Sequence, residues 1–141
     1  MQLDVTIRIA RGLKHTGKHC VELLLDGHDA VRTEWVEDQY DEFGAKLDGK
    51  ELAGRRIIRL HNNLDEYQRS WLHITLIHQR FFSQDKRAAE AHLPFAEVAQ
   101  GFRGWVSLEH KNQWGGKLLV ISSLRNRHQT LQPPPKQSAP N

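Results

Sequence analysis

The sequence predicts an all-β domain, an eight-stranded antiparallel β-sandwich. Short segments alternate between apolar and polar residues with a period of two, which is typical of half-buried strands. Turn signals built from Gly, Asn and Asp separate these segments at the spacing that sandwiches show. The 141 residues are enough for one domain with its own core.

The strand predictions follow this alternation along the chain. In the first strand Leu3 and Val5 alternate with Asp4, and the second strand ends at the Asp26-Gly27 turn signal. The third strand is predicted as one continuous segment. The eight predicted strands are residues 3–10, 20–25, 30–36, 56–61, 71–77, 89–95, 104–109 and 117–122.

The hairpin of residues 71–95 is predicted to be the unit around which the other strands pack. Its first strand places Leu72, Ile74 and Leu76 on one face, and a polar, basic loop follows. After it, a helical turn is predicted within residues 96–103. The sequence Trp-Gly-Gly at 114–116 is predicted to be the turn before the last strand.

Two segments lack this pattern. Residues 37–54 are charged and carry three glycines, which predicts a long loop of the kind that is usually functional or mobile. From Arg125 onward the chain is polar, and it ends in the proline-rich stretch QPPPKQSAPN. We therefore expect a domain over residues 1–124 and a tail or linker over 125–141, within a longer protein.

Composition excludes several classes of protein. No apolar run reaches the roughly 20 residues that span a membrane, and the N-terminus lacks the order of a signal peptide. The single cysteine, Cys20, begins an apolar run, which favours a buried thiol in a cytoplasmic protein. The net charge of +3 is dispersed among carboxylates and gives no support for nucleic-acid binding.

Catalytic and metal-binding motifs are missing from the sequence. It has no nucleophile elbow, no phosphate-binding glycine loop and no His-Glu-x-x-His. His15 and His19 are four residues apart, but Gly17 between them indicates a loop rather than a helix. We predict no catalytic residue, no cofactor and no metal ligand, and interpret nearly all nine histidines as solvated surface residues.

Three stretches together resemble the C2 domain family. They are LDVTIRIARGL in the first strand, WLHITLIHQ followed by a loop and AAEAHLPFAEV, and the closing GWVSLEHKNQWGGKLLVISS. The resemblance covers residues 3–124 and implies a C2-like β-sandwich. It also implies the family's type II topology, since no strand is predicted before Leu3 and a complete one follows Gly116.

The resemblance also implies that three loops, residues 12–19, 37–54 and 78–88, meet at one end of the sandwich. Calcium-binding members supply aspartates there, but this sequence has Lys18 and His19 in the first loop. In the third loop His78 and Arg80 stand at the aspartate positions, which leaves only Asp85. We therefore expect a member that does not bind calcium.

A membrane site at this loop end is one functional hypothesis, with anionic lipid as the ligand. Its Phe pair could insert while the basic residues bind headgroups. The charges of the three loops cancel, however, and one of the two rings could instead cap the core. The candidate residues are Lys14, Lys18, Arg80, Phe81, Phe82, Lys86 and Arg87.

A protein-binding face is the favoured hypothesis. It assumes that the 56–61 and 71–77 strands are neighbours and that their leucines point inward. A one-residue shift of register would instead bury Trp71. Mixed aromatic, aliphatic, Arg and His side chains are typical of protein interfaces. The candidate residues are Ile57, Arg59, His61, Trp71, His73 and Ile77.

The sequence thus predicts a non-catalytic, calcium-independent docking module of a larger intracellular scaffold protein that binds a protein partner. The alternative is a peripheral membrane or phosphoinositide-binding module that uses the basic, Phe-containing loops. In either case we expect a cytoplasmic protein associated with the cytoskeleton or with a membrane.

Overall fold

The structure is a computed structural model that describes residues 1–37, 42–44, 46–47, 51–80 and 83–126. It is built almost entirely from β-strands, with one 3₁₀ turn at Leu64–Tyr67 and one short helix, α1, at Phe95–Ala99. The strands are β1 Gln2–Arg11, β2 Lys18–Leu25, β3 Val31–Arg32, β4 Val36–Glu37, β5 Lys46–Leu47, β6 Glu51–Leu52, β7 Arg55–Arg59, β8 Trp71–His78, β9 Lys86–Pro94, β10 Arg103–His110 and β11 Gln113–Arg125.

The strands form two layers of an antiparallel sandwich. The hydrogen-bonded order is β3-β2-β8-β9-β10-β11-β1-β7, and β4 also pairs with β2. One residue pair, Glu109 opposite Glu90, joins β10 to β9, so the sheet folds over at this point. The first layer is β3-β2-β8-β9 and the second is β10-β11-β1-β7. The prediction of an eight-stranded all-β sandwich is confirmed.

Alternating apolar residues of both layers form a single core. Every second residue of β1, from Leu3 to Ile7, is fully buried, and Leu118 and Val120 of β11 lie beside them. The first layer contributes the inward residues of β2 and β8. Burial of each large aliphatic side chain contributes about 1.5–3 kcal/mol, which makes this core the main source of stability. The core residues of β2 and β8 are Val21, Leu23, Leu25, Leu72, Ile74 and Leu76.

The predicted third strand is divided into β3 and β4, which both pair with β2. Between them the side chain of Thr33 continues the hydrogen bonding. Its hydroxyl accepts a hydrogen bond from the Val21 N–H at 2.9 Å, and its own N–H donates to the Val21 carbonyl at 2.9 Å. A threonine side chain competes well for backbone partners, which explains the interruption.

The long segment before β7 is anchored to the core where the structure describes it. Phe43 is fully buried, and the Gly54 N–H donates to its carbonyl oxygen at 2.7 Å. Gly54 in turn accepts a hydrogen bond from the Ile7 N–H at 2.9 Å, which attaches the segment to β1. Residues 38–41, 45 and 48–50 of the predicted loop lie outside the described residues.

The turn between β10 and β11 lies at Lys111 and Asn112, not at Trp114–Gly116 as predicted. Both residues have positive φ, 51° and 63°, which is the conformation of a two-residue hairpin turn. The glycines instead continue β11. Gly116 is required there because a Cβ would lie 2.9 Å from the Arg11 carbonyl oxygen.

The helical turn predicted within residues 96–103 corresponds to α1, which packs Phe95 and Val98 into the core. Among the described helices, none is long and apolar enough to cross a membrane. The strand β11 continues to Arg125, which was predicted as the first residue of the tail, and residues 127–141 of that tail lie outside the described residues.

Candidate functional site

The two strands predicted to share one partner-binding face lie in different layers. β7 pairs with β1, whereas β8 lies between β2 and β9. Ile57 and Arg59 therefore point outward from the second layer, and Trp71 and His73 from the first. The predicted adjacency is wrong because the long segment between β4 and β7 carries the chain from one layer to the other, which local alternation cannot reveal.

The predicted inward and outward positions are correct in β7 and at the start of β8. Leu72 is buried and Trp71 is 45% exposed, so the alternative register that would bury the tryptophan does not occur. Similarly, Ile58 is buried and Ile57 is 39% exposed. The aromatic and aliphatic groups on these outer faces are therefore accessible to a partner.

Ile77 does not belong to the exposed face. It was expected to point outward to solvent, but only 1% of it is exposed. The ladder between β8 and β9 shifts register between Leu76 and Ile77, which then lies between Cys20 of β2 and Arg87 of β9. Burial also raises the pKa of the Cys20 thiol to about 11, so this cysteine is an unreactive core residue.

A chain of polar contacts lies on the outer face of the first layer. Asp26 accepts hydrogen bonds from the Trp71 N–H at 2.9 Å and from His73 Nε2 at 2.7 Å. These bonds lower the pKa of Asp26, the His73 bond most. The Nδ1 atoms of His73 and His92 are 2.7 Å apart, so one ring donates and the other must be unprotonated at that atom. His92 Nε2 is also 3.6 Å from Glu90.

His61, which follows β7, lies beside the turn after β2 and so at the same corner. His28 of this turn lies 5.4 Å from the His61 ring, between centroids, and its Nε2 is 2.7 Å from the Tyr67 hydroxyl. The His61 N–H donates to the same hydroxyl at 2.9 Å. Three of the predicted partner-binding residues thus gather around one turn. We call this region the Asp26 corner, formed by Asp26, His28, His61, Trp71 and His73.

The loop end of the sandwich holds a cluster of three histidines. The His78 ring lies 4.8 Å from His15 and 4.9 Å from His19, between centroids, and its Nε2 bonds the Thr16 carbonyl at 2.8 Å. Burial and the nearby His78 lower the pKa of His15. His19 is only 1% exposed, so the interpretation of these residues as solvated surface histidines is wrong here. The first loop folds back over the end of β8 and covers them.

A cavity of about 580 Å³ opens beside this cluster. Its walls come from the first loop and from the segment after β8, and they carry more basic than acidic side chains. The lining residues are Thr16, Gly17, Lys18, Glu37, His78, Gln79 and Arg80.

The residues of the membrane hypothesis have different environments. Lys14, Lys18 and Arg80 are exposed at the loop end, and Lys86 is half-buried opposite His78. Phe81 and Phe82 lie outside the described residues, so their contribution stays a prediction.

Arg87, another residue of the membrane hypothesis, forms an ion pair with a carboxylate. Glu22, which is nearly buried on β2, contacts Arg87 at 2.8 Å and Arg32 at 3.2 Å. Burial alone would raise the pKa of Glu22, but the hydrogen bonds from the two guanidinium groups outweigh it and lower the pKa. The same pairing raises the pKa of Arg87. Arg87 therefore links β9 to β2 through its ion pair with Glu22.

The outer face of the second layer contains functional candidates that sequence reasoning missed. Trp105 of β10 is 45% exposed and lies opposite Leu119 of β11, which in turn lies opposite Ile9 of β1. The Lys117 ammonium sits 4.6 Å from the centroid of the Trp105 ring, a cation–π contact. The alternation in GWVSLE indicates that Trp105 points outward. Its neighbours, however, depend on strand pairing that the sequence does not reveal.

Within the described part of the chain, no group of three or more His, Cys, Asp or Glu side chains is arranged to hold a metal ion. The remaining exposed tryptophan, Trp114, lies at the loop end with its ring over Gly12. The candidate surfaces are therefore the loop end, the Asp26 corner and the outer face of the second layer.

No family model matches this sequence, and no curated protein matches it. Solved structures do. A C2 domain of plant Extended Synaptotagmin 1 superposes with a TM-score of 0.65 at 13% identity, covering 86% of this chain and 92% of that one. A C2 domain-containing protein from a putative elicitor-responsive gene gives 0.60 at 15% identity, covering 99% and 93%.

A third similar structure contains two such domains. The calcium-bound pair of C2 domains of Extended-Synaptotagmin 2 matches with a TM-score of 0.61 at 12% identity, covering 86% of this chain and 44% of that one. At these identities the likeness concerns the fold alone. The order of strands, the two-layer packing and these superpositions agree, and the protein has the fold of a C2 domain.

Proposed function

We propose that this protein is a non-catalytic, calcium-independent docking module that binds a protein partner through the outer faces of its sheets. One observation carries the proposal: Ile57, Trp71 and Trp105 are exposed on strand faces, away from the loop end. Trp and Arg side chains on a rigid surface are typical centres of protein interfaces. A cytoplasmic scaffold is the setting that we expect for it.

The loop end supports independence from calcium. His15, His19 and His78 pack together there, and Lys18 and Arg80 line the adjacent cavity with Glu37. Calcium takes six to eight oxygen ligands, usually including several carboxylates, and is repelled by nearby cations. The basic groups at these positions favour anions instead.

Affinity capture in the presence of calcium and, separately, of a chelator tests this function. The domain is immobilised as wild type, as the Trp71→Ser and Trp105→Ser variants, and as Trp114→Ser, a matched loss of an exposed tryptophan at the loop end. We expect the wild-type domain to retain a partner protein equally in calcium and in chelator. At least one of the Trp71→Ser and Trp105→Ser variants should fail to retain it, whereas Trp114→Ser should still retain it. Retention only in calcium, or loss only with Trp114→Ser, would contradict the proposal.

The second candidate is a membrane-binding module that uses the loop end. Lys14, Lys18 and Arg80 are exposed there, and Trp114 is exposed beside the first loop. Exposed basic and aromatic residues together are what a peripheral membrane site requires. If this candidate is right, the double variant Lys18→Glu, Arg80→Glu releases the domain from anionic vesicles, whereas Trp105→Ser leaves vesicle binding unchanged.

A further inference from the structure

The outer face of the second layer has an apolar centre made by cross-strand neighbours. The register places Trp105, Leu119 and Ile9 side by side in one row, and Ile121 in the next row. Ile57 lies one row further, opposite Asp4. Side chains that face each other across adjacent strands are about 5 Å apart, so Trp105, Leu119, Ile9 and Ile121 form one continuous apolar strip. Thr6 and Asp4 of β1 separate Ile57 from this strip.

Basic side chains surround this strip. In the five rows of the register that run from Gln2 to Arg11 of β1, six cationic residues lie on the same face. Two carboxylates lie among them, Asp4 and Glu42, which pairs with Ile9 in an isolated bridge. The potential of the face is therefore positive. The basic residues are Arg11, Arg55, Arg59, Arg103, Lys117 and Arg125.

Several of these cations are fixed in place before any ligand arrives. Asp4 is only 5% exposed and contacts Arg55 at 2.8 Å and Arg125 at 3.4 Å, which neutralises this carboxylate and orients both guanidinium groups. Lys117 is held over the Trp105 ring. Ordered side chains lose less conformational entropy on binding, so the face is preorganised.

The half-burial of the apolar residues on this face favours a peptide over a bilayer as the occupant. Insertion requires apolar groups to reach about 5–10 Å into the boundary of the acyl chains. Here Leu119 and Ile121 are half-buried in the sheet, whereas the longer Arg and Lys side chains stand around them. These cations would meet the headgroups while the strip stayed short of the acyl chains. A polypeptide can contact the protruding cations and the lower apolar strip at the same time.

We propose that this face docks an acidic protein segment in which Asp or Glu residues flank an aromatic or aliphatic residue. The apolar residue packs on the Trp105–Leu119 strip, and the carboxylates pair with surrounding cations such as Arg103 and Lys117. This inference rests on the proposed docking function and names the partner's chemistry. It assigns the binding to the second-layer face, distinct from the Asp26 corner and from the loop end.

Selection from a random peptide library displayed on phage tests this inference. The wild-type domain is the bait. The Arg103→Glu, Lys117→Glu double variant is used for counter-selection, which removes peptides that bind outside this face. We expect the surviving peptides to be enriched in Asp and Glu next to a hydrophobic residue. Enrichment of basic or neutral peptides, or of none, would overturn the proposal.

Calorimetry on a synthesised peptide from this selection locates its site. Trp105→Ser and Arg103→Glu should each weaken its affinity by about tenfold or more, and salt should weaken it further. Arg69→Glu, a matched charge reversal at an exposed residue just after the 3₁₀ turn and outside the second layer, should bind as wild type. Equal affinity of all variants, or binding of anionic vesicles at this face without peptide binding, would overturn the inference. If only Trp71→Ser loses the partner captured in the affinity experiment, the inference about the second-layer face is also overturned, but the proposed docking function still stands.

Discussion

Glu22 illustrates how single residues stabilise the first layer. It is a nearly buried carboxylate on β2 between Arg32 of β3 and Arg87 of β9, so it links three parts of this layer. Its charge is satisfied by hydrogen bonds from both guanidinium groups, which is the condition under which a charge is tolerated in such a place.

Glu22→Gln should lower the free energy of unfolding by about 1–2 kcal/mol at neutral pH, because two charge-assisted hydrogen bonds are weakened. The pKa of Glu22 is lower in the folded state than its ordinary value of 4.5. Its stabilising contribution is therefore complete above that value and is lost as the pH falls through the folded pKa. Urea unfolding from pH 7 to about pH 3 should show the two proteins converging in acid.

The control for this prediction is Glu97→Gln, an exposed carboxylate of α1. It should leave the unfolding curve at neutral pH within about 0.5 kcal/mol of wild type. A Glu22→Gln protein that is as stable as wild type at pH 7 would show that the two ion pairs contribute nothing.

The sequence could indicate some residue positions but not their partners. Alternation alone places Leu72 inward and Trp71 outward, since neighbouring residues on a strand face opposite sides. The contact of His73 with His92, or of Glu22 with Arg87, depends on the register across a hairpin, which the sequence leaves open. This is why nearly all nine histidines were interpreted as solvated, although several of them lie in three clusters within the described residues.

At the scale of elements, the segment between β4 and β7 is the least regular part of the fold. Its described part is attached to β1 through Gly54, which accepts from Ile7 and donates to Phe43. A Cβ on Gly54 would overlap the Ile7 carbonyl oxygen and lie 2.8 Å from the Phe43 Cβ. The absence of a side chain allows this close approach of backbone to backbone.

Gly54→Ala should therefore destabilise the domain by about 1–3 kcal/mol, because the backbone and Phe43 must move apart to accept the methyl group. Thermal unfolding followed by circular dichroism measures the effect. Gly104→Ala is the matched control, since its methyl group would meet only the Phe102 ring at an ordinary 3.7 Å. Equal melting temperatures for Gly54→Ala and wild type would contradict the attachment described above.

The positions of the strands along the chain were easier to predict than the pairing between strands. Strong alternation identified the longer strands, but the Lys111–Asn112 turn was missed because these two residues adopt positive φ without a glycine. The placement of β7 beside β1 instead of β8 is a long-range pairing. It separated Ile57 and Arg59 from Trp71 and His73, so the predicted face became two surfaces.

At the scale of the whole molecule, the C2 fold separates three surfaces of different chemistry. The loop end carries clustered histidines and exposed lysines, the Asp26 corner carries a polar network beside Trp71, and the second-layer face carries an apolar strip among cations. Composition gives only a value for the whole chain, so the net charge of +3 does not reveal that one face is basic. Only the folded arrangement separates the basic face of the second layer from the loop end.

The central claim is that docking uses the sheet faces and requires no calcium. Co-sedimentation with vesicles of phosphatidylcholine, phosphatidylserine and phosphatidylinositol 4,5-bisphosphate, in calcium and in chelator, tests it most directly. We predict that the domain stays in the supernatant under both conditions. Pelleting in both conditions that is lost in the Lys18→Glu, Arg80→Glu variant would make the loop end a membrane site, and pelleting only in calcium would show that this end binds the metal. Either result would contradict the account.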